Sequence, residues 1–139
     1  MIKVEDTPFF NDVLKIFNYP FGKLYIFSGF VISEIGEGVV LSWDNAKQMV
    51  EDVEGFLGTN GKDLVYISNR INSYSVVPQD WLKYFKLNYG LKAYFVVTAA
   101  NKGSFNITFE KLFFRSKIKT FTCLVEAVNK AKTRKQEVA

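Results

Sequence analysis

The residues best able to do chemistry cluster in the middle of the chain: Ser68, Asn69, Arg70, Asn72, Ser73, Tyr74 and Ser75, followed by Gln79 and Trp81. They begin at the end of a short apolar run, Asp63 to Ser68 (DLVYIS), and reach just past Pro78. A run of this length and composition suits a strand buried on both faces of a sheet, and proline is favoured at the first position of a helix. The polar cluster therefore spans the exit of a strand and the entry to a helix. In open α/β sheets, ligands gather at the carboxyl ends of parallel strands. A helix N-terminus there offers free amide donors and a positive dipole end to an anion. Arg70 would add a bidentate charge, and a phosphate on Ser73 or Ser75 would lie beside the helix start. A plainer reading stands next to this one. Asn and Ser are the ordinary turn and cap residues of an exposed loop, so Asn72 or Ser75 could simply hold backbone amides while Arg70 pairs with a surface acid.

Elsewhere the chain offers little catalytic chemistry. It has no histidine and one cysteine, Cys123. That closes Ser-His-Asp and Cys-His machinery, imidazole acid–base work and imidazole metal ligation. It also excludes an intramolecular disulfide and a multi-cysteine zinc site. Cys123 lies in an apolar stretch with Phe121, Leu124 and Val125 and reads as a small core residue. Glu34 and Glu37 are near neighbours, but a carboxylate pair needs a cleft as well; they read as solvated charge. Gly36-Glu37-Gly38 and Gly58-Thr59-Asn60-Gly61 match neither a P-loop nor a dinucleotide fingerprint and read as turns. The expectation is a protein that is not an enzyme, with no catalytic residue, metal or cofactor.

The elements that must position the cluster follow from the apolar pattern. Val13 to Asn18 reads as a first strand ending before Pro20, and KLYIF (23–27) and FVISEI (30–35) read as a hairpin about Ser28-Gly29. Along the second arm Phe30, Ile32 and Glu34 share one face and Val31, Ser33 and Ile35 the other, so neither is purely apolar. A helix capped by Ser42 or Asp44 carries Ala46, Met49, Val50, Val53, Phe56 and Leu57 at helical spacing and stops at Gly58. After the strand at 63–68, a helix opened by Pro78 has Trp81, Leu82 and Phe85 as its apolar stripe. LKAYFVVT (91–98) is a second buried strand, and Asn101 to Ser104 a loop. A helix over 105–114 puts Phe105, Phe109, Leu112 and Phe113 inward. An edge strand at 117–121 and a final helix capped by Thr122, with Leu124, Val125, Val128 and Ala131 inward, complete the chain. Strands alternating with helices imply a mainly parallel sheet with crossover helices; the N-terminal β-hairpin makes it a mixed α/β sheet.

Length and composition set the outer limits. The 139 residues suit one domain with its own core, and 48% hydrophobic with 23% charged residues is ordinary for a globular chain. No stretch approaches the roughly 18 apolar residues of a membrane span. The first twelve residues carry Glu5, Asp6 and Asp12 in place of a signal layout, so the expected location is cytoplasmic, with no membrane insertion. The net charge of +4 gathers late, at Lys130, Lys132, Arg134 and Lys135. Such a tail can attract nucleic acid or acidic lipid, but basic residues also complement a helix C-terminus, which is the preferred account. Tyr19, Phe21, Tyr25, Tyr74, Tyr84 and Tyr89 exceed what one core is expected to hold, and surplus aromatics favour interfaces.

The order of elements resembles the STAS-like domain, typified by the anti-sigma-factor antagonists of bacterial signalling. The segments Leu64 to Asp80 (LVYISNRINSYSVVPQD), Pro20 to Ile35 (PFGKLYIFSGFVISEI) and Phe109 to Phe114 (FEKLFF) are similar to those of short bacterial proteins of this kind, and the resemblance covers about residues 12 to 134. In the signalling members a phosphorylated Ser or Thr sits where the central strand passes into the next helix, within an Asp-Ser-Gly-like motif. This chain lacks that motif and places Ser68, Ser73 and Ser75 there, so only the location carries over. The resemblance implies a single STAS-like domain over 1–139, with its core at about 12–132 and a basic tail at 133–139. It implies a regulatory, non-enzymatic role in binding an unknown protein partner, a second copy of the chain included, through the Ser68–Ser75 loop and the adjoining helix. The alternative is a module for a small anionic or acyl ligand at the same place; nucleic-acid binding ranks below both.

Overall fold

The computed structural model describes residues 1–99, 107 and 109–138, with side chains as far as residue 133. Two 3-10 turns, Val4–Asp6 and Pro8–Asp12, precede β1 (Lys15–Tyr19), β2 (Gly22–Phe27) and β3 (Phe30–Ile35). Then come β4 (Val40–Leu41), α1 (Trp43–Leu57), β5 (Val65–Asn69), β6 (Ser75–Val76), α2 (Asp80–Lys86), β7 (Ala93–Val97), β8 (Ile118–Phe121) and α3 (Leu124–Val138). Six strands form one sheet in the order β1-β2-β3-β5-β7-β8, while β4 and β6 pair separately. The first three strands are antiparallel and β3, β5, β7 and β8 run parallel. The mixed, mainly parallel α/β sheet with an N-terminal hairpin is therefore present. The hairpin turns at Gly29, whose φ of 87° favours a residue without Cβ.

The pleat sends alternate residues to opposite faces. On one face Phe27, Ile32, Ile67 and Phe95 meet Leu124, Ala127, Val128 and Ala131 of α3, together with Val4 and Phe9 of the N-terminal turns. On the other, Leu24, Ile26, Val31 and Ile35 meet Met49 of α1. Farther along that face, Tyr94 and Val96 pack with Tyr84 and Phe85 of α2 and with Ile107 and Phe114. Every residue of β3 and of β7 is buried. Ser33 and Glu34 thus lie inside, on opposite faces.

Several expectations change. The second helix begins at Asp80, with Val77 to Gln79 forming the turn that feeds it. Leu82 is exposed, because the inward spacing is Trp81, Tyr84, Phe85. Of the helix expected at 105–114, Phe105 lies outside the described residues. Within the rest, Ile107, Glu110 and Phe114 point inward while Phe109 and Leu112 are 43% and 71% exposed. The buried stripe is the i, i+3, i+7 set containing the acid, not the phenylalanine-rich one. The last helix starts one residue later than Thr122 implies: the Cys123 carbonyl accepts the Ala127 N–H. Phe21, Tyr25, Tyr74 and Tyr84 are buried, and Tyr19 and Tyr89 half-buried, so these aromatics are largely core and not a surplus for an interface. No helix among the described residues is long and apolar enough to cross a membrane.

Candidate functional site

Four polar side chains share the α1–α2 face of the sheet, Ser33 and Ser68 toward the carboxyl ends of β3 and β5, Tyr66 and Tyr94 near the starts of β5 and β7. Ser33 on β3 stands opposite Ser68 on β5, and Tyr66 on β5 opposite Tyr94 on β7. The two tyrosine rings stack at 5.1 Å. Arg70 follows the end of β5, its N–H held by the Val97 carbonyl. Its Nε donates to Ser68 Oγ (3.2 Å), and its Nη2 to Tyr94 Oη (2.9 Å) and Glu110 Oε2 (2.6 Å). Glu110 Oε1 accepts from Tyr94 Oη (2.8 Å) and Trp81 Nε1 (3.1 Å). The Ser68 and Tyr74 hydroxyls are hydrogen-bonded at 2.5 Å, and those of Ser33 and Tyr66 at 2.8 Å.

Arg70 is 8% and Glu110 0% exposed. Burying both charges is costly unless their remaining lone pairs and protons are matched, and this network gives the guanidinium three acceptors and the carboxylate three donors. Burial by itself would lower the Arg70 pKa, but Tyr94, Tyr74 and Glu110 outweigh it and leave the guanidinium pKa raised. Burial, reinforced by Glu110, holds the Tyr94 hydroxyl well above its usual range, and burial likewise raises Tyr74. Both phenols stay neutral at physiological pH.

Next to the network, α1, α2 and the sheet line a half-open cavity of about 120 Å³. Leu24 and Val31 of the sheet and Met49 and Val53 of α1 form its aliphatic side. Tyr66, Trp81, Tyr84 and Tyr94 form an aromatic side, where the Trp81 ring lies 5.0 Å from Tyr94 and 5.5 Å from Tyr84. Trp81, Tyr94 and Glu110 belong to both cavity and network. Both tryptophans of the chain, Trp43 and Trp81, line it.

The residues expected to form an exposed loop divide differently. Ser68, Asn69, Arg70 and Tyr74 are buried; Asn72, Ser75 and Trp81 are half-buried; only Ser73 and Gln79 are exposed. Arg70 pairs with a buried acid, not with one at the surface. Asn69 faces the opposite side of the sheet, where its Nδ2 donates to Glu34 Oε2 (2.8 Å) and the Ile2 carbonyl (3.1 Å). Glu34 Oε2 also accepts the Val4 N–H at 2.8 Å. Glu34, read as solvated, is therefore a buried acceptor that ties the N-terminal turns to the sheet. Glu37 does remain exposed and accepts the Ser73 N–H. Asn72 Nδ2 reaches the Ile35 carbonyl, and Ser75 joins the β4–β6 ladder. Helix α2 starts with Asp80, whose carboxylate accepts the Trp43 N–H (2.6 Å) and pairs with Lys83 (3.2 Å), while Arg70 is committed to Glu110.

Sequence reasoning missed Glu110, Tyr94, Tyr66 and Ser33. Their signal was the presence of polar groups inside otherwise apolar runs, which demand partners when buried. Among the described residues no Cys, Asp and Glu side chains gather in a group of three or more that could hold a metal. No protein-family model matches the chain, and no significantly similar curated protein or solved structure was found.

Proposed function

We propose that this chain is a non-enzymatic binding domain of STAS-like architecture, acting in regulation in the cytoplasm, whose ligand is a small and mainly apolar molecule held between α1, α2 and the sheet. The cavity carries this reading. Ligand sites are concave and mostly apolar, with a few fixed polar groups, and here apolar walls meet the Trp81–Tyr94–Glu110 cluster. Size narrows the ligand: an apolar cavity of roughly 150 Å³ takes up benzene, so about 120 Å³ suits a single small ring or a short acyl chain. The anionic version of the ligand loses its motive, since Arg70 is already neutralised by Glu110.

Docking of a protein partner is a second reading, favoured by the exposure of Leu82 and Leu87, at 53% and 54%, near exposed Gln79. Native mass spectrometry of gently purified protein, paired with thermal unfolding against a panel of small apolar compounds, separates the two. A small bound mass and a stability gain of about 2.7 kcal/mol at a hundredfold excess over Kd support the cavity. A bound protein mass supports docking. No adduct and no thermal response would remove the cavity reading.

A further inference from the structure

Six aromatic side chains, Trp43, Tyr66, Trp81, Tyr84, Tyr89 and Tyr94, are among the described residues that line the cavity. Their planes do not run in one direction. Trp81 and Trp43 each meet Tyr84 edge-on, at 5.5 Å and 87° and at 6.4 Å and 68°. Tyr66 and Tyr94 lie parallel to each other but tilted by 55° and 53° from Trp81. Rings at such angles make walls on several sides. Tyr66 belongs to a central strand, β5, and is only half-buried, although Leu64 and Ser68 on the same face are buried. The gap between α1 and α2 therefore lies over its ring.

An aromatic face is the negative side of the ring quadrupole and attracts a cation within about 6 Å of its centroid. The charged groups act in the same direction. Asp80 lines the cavity and is half-buried, and no Lys or Arg is among the described lining residues. Its ion-pair partner Lys83 is 60% exposed, so water screens that pairing. Glu110 is fully buried and balanced by Arg70, which leaves Asp80 as the charge an occupant meets.

Hydrogen bonding decides which kind of cation fits. Most polar side chains of the lining are engaged within the protein. Ser42 donates to Asn45, Thr59 to Asp63, Tyr84 to the Gly90 carbonyl and Tyr89 to Glu54. Trp81 and Tyr94 donate to Glu110, and the Tyr66 and Ser33 hydroxyls are bonded to each other. A primary ammonium would give up a strong hydration shell and need acceptors for its three protons, where the lining offers little beyond Asp80. A quaternary ammonium needs none. Its charge is spread over methyl groups, which suit the aliphatic walls, and its bulk is comparable to the single ring for which the cavity has room.

We propose that the cavity binds a trimethylammonium group, carried by a small solute or by a lipid headgroup, against the rings of Trp43, Tyr66 and Trp81 with Asp80 beside it. The inference rests on the cavity being the binding site.

Choline and its uncharged carbon isostere, 3,3-dimethylbutan-1-ol, share a shape and a hydroxyl and differ in charge alone. Any hydrogen bond to the Trp43 indole N–H therefore cancels between them. Ethanolamine supplies a primary ammonium, and toluene a neutral ring. Binding to the full chain at neutral pH is read by calorimetry and by tryptophan fluorescence, which reports the cavity because both tryptophans line it. Choline is expected to bind about tenfold more tightly than its isostere, the scale of a desolvated cation–π contact, with ethanolamine weakest. Trp43→Leu keeps the wall apolar but removes a ring, and should shrink the choline-to-isostere ratio. Asp80→Asn, which keeps an acceptor for the Trp43 amide, should shrink it as well. Val53→Phe, on the α1 wall, should fill the cavity and abolish choline binding. Circular dichroism checks that each variant is folded, and the ratio on the unchanged chain decides the matter even where one is not. Phosphatidylcholine vesicles that sediment the protein and release it to choline would assign the headgroup source; vesicles that leave it in solution would assign the free solute. The isostere or toluene binding as tightly as choline, or ethanolamine binding more tightly, would overturn the quaternary class and leave the cavity reading standing. Choline binding unaltered by Val53→Phe would place it elsewhere and overturn the proposal. Silence from all four probes would overturn the proposal and the cavity reading together.

Discussion

Arg70 and Glu110 are held by opposing terms of similar size. Moving each charge out of water costs several kcal/mol, and their mutual attraction repays it only when the surrounding bonds are complete. Ser68, Tyr94 and Trp81 supply most of those bonds. Removing one partner leaves the other charge buried and unmatched, so Glu110→Gln is expected to cost about 3 kcal/mol or more, measured as a fall in the urea midpoint at unchanged m-value. Arg70→Met combined with Glu110→Leu should cost clearly less than the sum of the two single changes. Additive costs would show that the pair is not coupled. Half of this unit was legible in the sequence: a cation at the end of a central strand, Arg70, has few reasons to be there. Its partner lies 40 residues on, in a segment where the phenylalanines made a different helical face look apolar. Pattern reading ranks faces by hydrophobicity, and it ranks a face built around a buried acid last. Burial of Glu34 escaped notice for the same reason. Its partners are a backbone amide of the N-terminal turns and Asn69, and neither is visible as a periodic signal.

Between elements, the start of α1 shows how a local motif can be replaced by a tertiary one. Ser42 stands at the N-cap, yet its side chain makes no capping bond to the helix backbone; its hydroxyl donates to the Asn45 side chain instead. The Trp43 amide is satisfied from outside, by Asp80 in the first turn of α2. One carboxylate thus caps α1 and joins the two helices that wall the cavity. Asp80→Ala is expected to cost about 1–2 kcal/mol, the usual loss for a helix cap, and to exceed the cost of Ser42→Ala; equilibrium unfolding of the two variants checks the order. The reverse order would return the capping role to Ser42. The elements themselves were largely readable. The Ser28-Gly29 hairpin, the amphipathic α1 and the two buried strands β5 and β7 follow from period and composition, because each is dictated by contacts within a few residues or by burial on both faces. The starts of α2 and α3 lie one or two residues later than Pro78 and Thr122 imply, while α1 starts after Ser42 as expected even though its first amide is held by Asp80. The β4–β6 pair was invisible because each strand has only two residues.

Across the whole molecule, the tyrosines set the response to pH. All seven have hydroxyl pKa values raised above the ordinary value, with burial the largest cause in each case. Carboxylates reinforce the effect at particular rings, as Asp52 does for Tyr19 and Glu34 for Tyr25. A phenol whose folded pKa lies above its unfolded value, about 10, stays protonated in the native state while the unfolded chain releases its proton. The unfolded state then binds fewer protons, and stability falls as pH rises. The contribution of these groups is therefore complete below about pH 10 and is lost progressively above it. The chain has no histidine, so no imidazole adds a step near neutrality. The expected profile is a plateau through neutral pH followed by an alkaline collapse. Because the tyrosines are divided between both faces of one sheet, their ionisation should track loss of the fold. Tyrosinate absorbance and circular dichroism, followed together from about pH 8 to 12, are expected to change in one cooperative transition. A gradual tyrosinate titration centred near pH 10 with native circular dichroism would show that water reaches these hydroxyls in the folded state, and would overturn the burial argument for their raised pKa values.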